Sequence, residues 1–331
     1  MTKFAPTLLI SQDDVRRVIN MEAVLEIVEL VFRAHGQGQV VMPPKITLDM
    51  RSMGIEGWHN AMPAYIHPLG VAGIKWAGGY ARNPSTFGLP YVMGVIILQD
   101  PTTGYPLAVL DGTHITNLRT GAVAGVCAKY YGRQRAQVVT FVGAGTQARF
   151  ALEAMMRTVN IMEVRAYDID LEKAVVYAHD ARRRYGVKAF ACSSPQEAVD
   201  GADTVVTVTY ADEPIVKGEW LNQGCTILSM GSYQELDDDA VMSADKIVVD
   251  SWDQCAHRGE LKRFAEAGRL TRKEIFAEIG ETVAGIRPGR ETDKERILVV
   301  PIGLGSHDIA VAKVVYDKIR LDGTHPSFRF F

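Results

Sequence analysis

The chain is poor in cysteine: four of its 331 residues, Cys127, Cys192, Cys225 and Cys255, scattered and without a C-x-x-C pair. Such spacing offers neither a tetrahedral metal site nor a disulfide framework, so no metal is expected and a reducing compartment, the cytoplasm, is. No apolar run reaches 18 residues, and the opening MTKFAPTLLISQDD lacks the long apolar core of a signal peptide. Neither a membrane span nor a secretory leader is expected. A dense run of one charge is missing as well. The net charge is −3, and the one basic cluster, Arg182-Arg183-Arg184, falls late in a helical pattern, where cations suit the negative end of the macrodipole. Nucleic acid is not an expected partner. Internal repeats and low-complexity segments are also lacking. What remains is an ordinary globular composition, 47% hydrophobic and 23% charged, in a chain long enough for two domains with separate cores.

The most informative stretch runs from Gln137 to Ala148, QVVTFVGAGTQA. Val138 to Val142 is apolar or β-branched almost throughout, as a strand buried on both faces is. It leads into Gly143-Ala144-Gly145-Thr146-Gln147-Ala148, a G-x-G-x-x-A turn, and then into the helical ARFALEAMM. Gly143 permits a tight turn, Gly145 lets backbone N–H groups approach a pyrophosphate, and Ala148 lets helix and sheet pack closely. The next apolar strand ends on Asp168, 23 positions beyond Gly145, close to the roughly 20 expected of a carboxylate that grips the adenosine ribose. Ile169-Asp170-Leu171-Glu172 follows, with no Arg. A carboxylate without a neighbouring cation repels a 2′-phosphate, so NAD is expected rather than NADP.

Around this unit the texture changes twice. Ser11 and Asn20 look like helix N-caps, the second opening a helix with Val24, Ile27, Val28 and Val31 on one face. From Val40 to Leu110, short apolar runs broken by Pro and Gly read as a β-rich domain with loops. A helix over Ile115 to Ala128 and a polar hinge at Tyr130 to Arg135 then precede the nucleotide-binding domain. After it, strands at Thr204–Thr209, Thr226–Met230 and Lys246–Val249 alternate with helical or loop segments, the mark of a parallel doubly wound sheet. Ser194-Pro195-Gln196-Glu197 carries a capping-box pattern, and one helix is expected over Trp252–Ala267. Arg287-Pro288-Gly289-Arg290 marks a second boundary, followed by a strand and helix in the tail.

Two cations stand out beyond the nucleotide motif. Lys75 lies inside the apolar run Gly73-Ile74-Lys75-Trp76-Ala77. A Lys there is costly unless it meets an anion or reaches water. Arg119 precedes the small-residue run Gly121 to Gly125, which allows close approach of another backbone or a cofactor. An Arg so placed suits a carboxylate or phosphate, or else a surface ion pair.

These features together resemble the ornithine cyclodeaminase/μ-crystallin family over nearly the whole chain. The resemblance rests on Met62-Pro63-Ala64, on Gly73-Ile74-Lys75-Trp76 with Asn83 and Gly88-Leu89-Pro90, and on Asp100, Thr103-Gly104 and Leu107. It continues through Asp111-Gly112, Thr116-Asn117-Leu118-Arg119-Thr120-Gly121-Ala122 and the Gly143 turn to Trp220-Leu221, Gly224, Gly231-Ser232 and Glu235-Leu236-Asp237. It implies a Rossmann doubly wound sheet, residues 131–296, inserted into an α+β substrate-binding and dimerisation domain, residues 1–130 plus 297–331, in a homodimer. It also implies a nicotinamide cofactor and a small imino- or amino-acid substrate. Carried over by position, Lys75 and Arg119 hold the substrate carboxylate, with Lys75 also near the reacting nitrogen and Arg119 and Thr120 near the cofactor. Gly143, Gly145, Thr146 and Gln147 meet the pyrophosphate, Asp168 the ribose, Thr209 the adenosine side, and Met230, Gly231 and Ser232 the nicotinamide region.

Two departures from the family pattern bear on the reaction. Cyclodeaminases carry an acidic base where this chain has Tyr233-Gln234, and a phenol with a pKa of about 10 is a poor base at neutral pH. That argues for simple hydride transfer over ornithine cyclisation. An Arg common in the family is Lys45 here, with Arg51 a nearby substitute. The expected function is an NAD(H)-dependent imine reductase or amino-acid dehydrogenase, of alanine type or converting iminosuccinate to aspartate. A cyclodeaminase and a ketimine reductase or ligand-binding protein are the alternatives. Lys75 is the first candidate for the proton donor, with His59, His307 and Asp308 behind it. A dicarboxylic substrate needs a further cation, for which Lys45, Arg51, His59 and Arg82 are available.

Overall fold

The computed structural model describes residues 5–135, 137–211, 213–323 and 325–331. The chain divides into two compact units, Met1–Arg119 with Leu304–Phe331, and Thr120–Gly303.

The first unit opens with β1 (Thr7–Ile10), α1 (Gln12–Val18) and α2 (Met21–Gly36). Ser11 and Asn20 cap the two helices, accepting from Asp14 N and Ala23 N. Val24, Ile27, Val28, Val31 and Phe32 form the buried stripe of α2. The β-rich stretch resolves into β2 (Val40–Val41), β3 (Ile46–Asp49), β4 (Trp58–Ile66), β5 (Val71–Gly79), β6 (Val92–Gln99) and β7 (Pro106–Asp111), after which α3 (Thr113–Tyr131) begins. Strand order is β1-β7-β6-β5-β4-β2, with β3 also on β4. Only the β1–β7 pair among these is parallel.

Register decides which side chains share a face, because neighbours across strands point the same way. One row runs Ile10–Leu110–Ile96–Lys75–Met62 across five strands, and every member is buried. Lys75 therefore sits in the middle of an otherwise apolar row, on the inner face of the sheet.

The second unit is an eight-stranded, wholly parallel sheet: β8 (Gln137–Val142), β9 (Ile161–Tyr167), β10 (Lys188–Ala191), β11 (Thr204–Thr207), β12 (Thr226–Ser229), β13 (Lys246–Val249), β14 (Ala277–Glu278) and β15 (Ile297–Val300). Its order is β10-β9-β8-β11-β12-β15-β13-β14. The order reverses between β8 and β11, so a crevice opens beyond their carboxyl ends, where ligands bind in open α/β sheets. The connecting helices are α4 (Thr146–Thr158), α5 (Leu171–Tyr185), α6 (Pro195–Val199), α7 (Asp238–Met242), α8 (Trp252–Cys255), α9 (Lys262–Glu266) and α10 (Ile279–Val283). Central strands β11, β12, β13 and β15 are buried at every residue, the signature of a sheet covered on both faces.

The tail returns to the first unit as α11 (Gly305–Ile319), which packs on α2, β4, β5 and β6, and β16 (Ser327–Phe328), antiparallel to β1. Two glycines let α11 lie close to the sheet. A Cβ on Gly305 would meet Met62 O at 2.9 Å, and one on Gly73 would meet Ile97 O at 2.6 Å and Ile309 Cδ1 at 3.0 Å.

Several expected boundaries shift. Helix α3 is continuous from 113 to 131, and the division falls within it, at 119/120, rather than at a hinge after 130. Strand β15 hydrogen-bonds between β12 and β13, which moves Ile297–Val300 out of the first unit and into the Rossmann sheet. The helix expected over Trp252–Ala267 is two short ones, α8 and α9. The capping box at Ser194 is half complete: its hydroxyl accepts from Glu197 N, while Glu197 turns to Ser193 N and Oγ.

Candidate active site

Lys75 is 2% exposed and Asp308, from the first turn of α11, is 0% exposed. Asp308 Oδ2 lies 2.8 Å from Lys75 Nζ, and Oδ1 accepts from Arg119 Nε at 3.1 Å. Thr116, one helical turn before Arg119 on α3, completes the cluster: its Oγ1 accepts from Lys75 Nζ at 3.3 Å and donates to Gly112 O at 2.5 Å. Burial pushes the Lys75 ammonium down to about 8; Asp308 opposes the fall and Arg119 adds to it. Burial would raise the Asp308 carboxyl, but Arg119 and Lys75 outweigh it and hold the group below its ordinary value. Two cations sharing one carboxylate leave one net positive charge in a dry interior. No described hydrogen bond engages the two terminal nitrogens of Arg119, so they can fork onto a second carboxylate.

The other candidates near this unit separate. His307, next to Asp308, packs edge-on against Phe32 with ring centroids 4.4 Å apart. Burial holds its imidazole far below the usual range, with His35 and Arg119 adding to the effect. That favours the neutral imidazole at His307, beside the Lys75–Asp308–Arg119 cluster. His59 stands an odd number of residues from Met62, the cross-strand partner of Lys75, and so points to the opposite face. There it stacks on Trp76 and its Nε2 lies 2.9 Å from Tyr80 Oη. The structure does not bring it to Lys75. Arg51 is exposed and tied to Asp49 by a 2.5 Å ion pair, and Lys45 is half-buried just ahead of β3.

In the second unit, β8 runs directly into the glycine turn. Gly143 has φ +101°, a conformation side chains rarely adopt, and a Cβ there would meet Val208 O, just past β11, at 2.7 Å. Gly145 faces open space and N-caps α4 without any side-chain cap, leaving first-turn N–H groups for an anion. Asp168, one residue past β9, accepts from Ala144 N at 2.9 Å. A carboxylate is thus fixed beside the phosphate-binding turn. Thr146 and Gln147 open α4, and Thr120 follows Arg119 on α3. The small-residue run of α3 has a packing role: a Cβ on Gly121 would meet Phe150 O of α4 at 2.4 Å. Thr209 gives its N–H and hydroxyl to Glu235 Oε1, at 2.6 and 2.7 Å, and Met230 N donates to Thr207 O at 2.9 Å. Gly231 and Ser232 continue from the end of β12. An open-faced glycine, an uncapped helix start and a placed carboxylate fit a dinucleotide.

Thr116 and Glu235 stood in the sequence as motif residues without a role, and Glu260 carried no signal. Thr116 was detectable from its i, i+3 spacing with Arg119, which puts both on one face of a helix.

Fold and sites define a class: a Rossmann unit inserted into a largely antiparallel-sheet unit that buries a Lys–Asp–Arg cluster. The ornithine cyclodeaminase/mu-crystallin family model matches residues 6–323, and the chain belongs to that family. It is 40% identical over 332 residues to the alanine dehydrogenase of Archaeoglobus fulgidus, covering 98% of this chain and 99% of that one. A solved archaeal alanine dehydrogenase dimer with bound NAD superposes with a TM-score of 0.91 at 38% identity, covering 99% and 100% of the two chains. The Thermococcus litoralis Delta(1)-pyrroline-2-carboxylate reductase, solved with NADH and L-proline, gives a TM-score of 0.91 at 33% identity, covering 97% and 100%.

Proposed function

We propose that this protein is an NAD(H)-dependent oxidoreductase that interconverts a small 2-imino acid and its L-amino acid. The observation that carries this is the buried Lys75–Asp308–Arg119 cluster, whose spare positive charge calls for a carboxylate. Arg119 takes that carboxylate through its two terminal nitrogens, and Asp308 holds the Arg119 fork and the Lys75 ammonium in place. When bound, NADH supplies the hydride that reduces the imine carbon. Lys75, with a pKa of about 8, gives a proton from Nζ to the imine nitrogen as it becomes the amine, and regains it from solvent afterwards. Burial of the cluster keeps water from the imine, which would otherwise hydrolyse.

Arg51 is already engaged by Asp49, which favours an alanine-type substrate over the dicarboxylic iminosuccinate. Tyr233-Gln234 in place of an acidic base disfavours ornithine cyclisation. Likeness to the pyrroline carboxylate reductase supports a cyclic imine as the second substrate class. The test is NADH oxidation by the purified protein with ammonium plus pyruvate, glyoxylate or oxaloacetate, run beside Delta(1)-pyrroline-2-carboxylate. Ammonium-dependent oxidation with one 2-oxo acid is expected. Ammonia release from ornithine without net NADH change would replace this reading with a cyclodeaminase.

The outer face of the first sheet exposes Leu9, Ile46, Trp76, Val95 and Ile97 at 38–68%, a contiguous apolar surface by the strand registers. Such a face is normally covered, and we assign it to a second copy, in line with the archaeal alanine dehydrogenase dimer. The four cysteines are buried free thiols and no described helix is long and apolar enough to cross a membrane. Both observations fit the cytoplasm.

A further inference from the structure

The second unit buries two carboxyl groups that the reaction does not use, Glu235 and Glu260, both 0% exposed. Glu235 lies in the loop leaving β12. Its Oε1 accepts from Thr209 N and Oγ1, and its Oε2 accepts from Thr207 Oγ1 at 2.8 Å. One side chain thereby ties that loop to the carboxyl end of β11. Glu260 reaches the same loop from the turn between α8 and α9. Its Oε2 accepts from Glu235 N at 2.8 Å and Leu236 N at 3.2 Å. Its Oε1 has no hydrogen-bond partner among the described residues. A Cβ on Gly231 would meet Glu235 Oε2 at 2.8 Å, so Gly231 itself rests on this assembly. Thr209 and Met230 to Ser232, which face the cofactor in the reading above, are therefore held from behind by two buried carboxyls in succession.

Two neighbouring carboxyls in a dry interior do not both ionise. Glu235 has three donors around its oxygens, which suits the charged form. Glu260 offers one oxygen to two backbone N–H groups, which favour its charged form, while its other oxygen has no partner among the described residues. Burial pushes Glu260 up to about 8, the Glu235 charge adds to this, and the two N–H groups and Arg263 oppose it. Arg263 is spent elsewhere, on Asp238 Oδ1 and Leu236 O at 2.5 and 2.8 Å.

We propose that Glu260 is a positioning residue for the cofactor: it holds the 230–236 loop, through the backbone of Glu235 and Leu236, in the shape that receives the nicotinamide end of NAD(H). This rests on the NAD(H) reading above. The two backbone bonds are worth about 1 kcal/mol each, so their loss is expected to weaken NADH binding by about 10-fold or more.

The test measures NADH Kd by fluorescence titration, with KM for NADH and for the 2-oxo acid, in the full-length wild type, Glu260→Gln and Glu260→Ala. Gln is neutral and accepts the same two bonds through its carbonyl oxygen, so its Kd should stay within about threefold of wild type. Ala should raise Kd and KM for NADH by about 10-fold while KM for the 2-oxo acid stays unchanged. A merely structural role would move both KM values together, or neither. If Glu260→Ala does not fold, Glu260→Gln decides alone: wild-type affinity supports the two-bond clamp, and a large loss overturns it. Wild-type affinity in a folded Glu260→Ala also overturns it. A wild type that binds no NADH removes both this proposal and the reading beneath it.

Discussion

Replacing Asp308 with Asn removes charge from the centre of the cluster and leaves its shape. The Asp308 oxygens lie 2.8 Å from Lys75 Nζ and 3.1 Å from Arg119 Nε. Breaking a buried pair of this kind costs about 3–5 kcal/mol, because the partner cation is left uncompensated. Lys75 already sits at about 8 against an ordinary 10.5, a burden of about 3 kcal/mol on its charged form. Asp308 is the main influence holding that value up, so in the Asn variant it falls further and Lys75 is neutral at neutral pH.

Two signatures follow. In the proposed mechanism imine reduction needs protonated Lys75, so the wild-type rate at constant free ammonia should fall as pH rises through about 8. In Asp308→Asn that limb should move to lower pH, with kcat near neutrality down by about 10²-fold or more. The stability signature has the matching sign. A cation whose folded pKa is lowered weighs against the fold at low pH, and the burden lifts as pH rises through the folded value. The melting midpoint of the first unit should drop by on the order of 10 °C near neutrality, with the deficit shrinking towards alkaline pH. An Asn variant with the wild-type rate profile and midpoint would refute the reasoning, since the carboxylate would then govern neither Lys75 nor the fold around it.

Further outcomes are expected elsewhere. Arg119→Met should raise KM for the 2-oxo acid and lower kcat, a combined loss of about 3 kcal/mol or more in kcat/KM; Arg119→Lys should recover only part, since it lacks the fork. Asp168→Ser should cut the preference for NADH over NADPH by about 10-fold, read as a ratio of kcat/KM values. Gly145→Ala, facing open space, should leave the melting midpoint unchanged and raise KM for NADH. Gly143→Ala, at φ +101° and 2.7 Å from Val208 O, should lower the midpoint instead. Native protein should resist iodoacetamide near pH 8, because all four thiols are buried and burial pushes Cys225, for example, up to about 12; reaction of four thiols should appear only on denaturation.

The strand–turn–helix around Gly143 and the acid at Asp168 were legible because each depends on local sequence: an apolar run, small residues at fixed offsets, and one carboxylate at a strand end. Lys75 was legible as an anomaly, a cation in an apolar run, but its partner comes from the far end of the chain and no local pattern announces it. His59 illustrates the limit from the other side. It and Lys75 lie on neighbouring strands, and only the β4–β5 register reveals that they point to opposite faces. Strand β15 was recognised as a strand, yet its insertion between β12 and β13 is a pairing choice set by the whole sheet. The helix expected over Trp252–Ala267 is interrupted after Cys255. The interruption holds Glu260, whose side chain is needed by a distant loop rather than by a continuous helix.

The cluster's energetics argue for what it binds. A protein that needed only stability would fill the row Ile10–Leu110–Ile96–Lys75–Met62 with a fifth apolar residue, since replacing a buried ion pair by well-packed hydrophobes is often neutral or favourable. This chain instead buries two cations on one carboxylate, with glycines at 73 and 305 letting α11 come close enough for Asp308 to reach them. A single anion from the protein leaves the charge unbalanced by one. A second protein carboxylate would cancel it and destroy any affinity for an anionic substrate. In the proposed function a carboxylate-bearing substrate completes this balance, and apolar replacement of Lys75 should trade activity for stability: Lys75→Met should lose turnover while its destabilisation stays below that of Asp308→Asn, because it removes one of two competing cations and leaves Asp308 paired with Arg119.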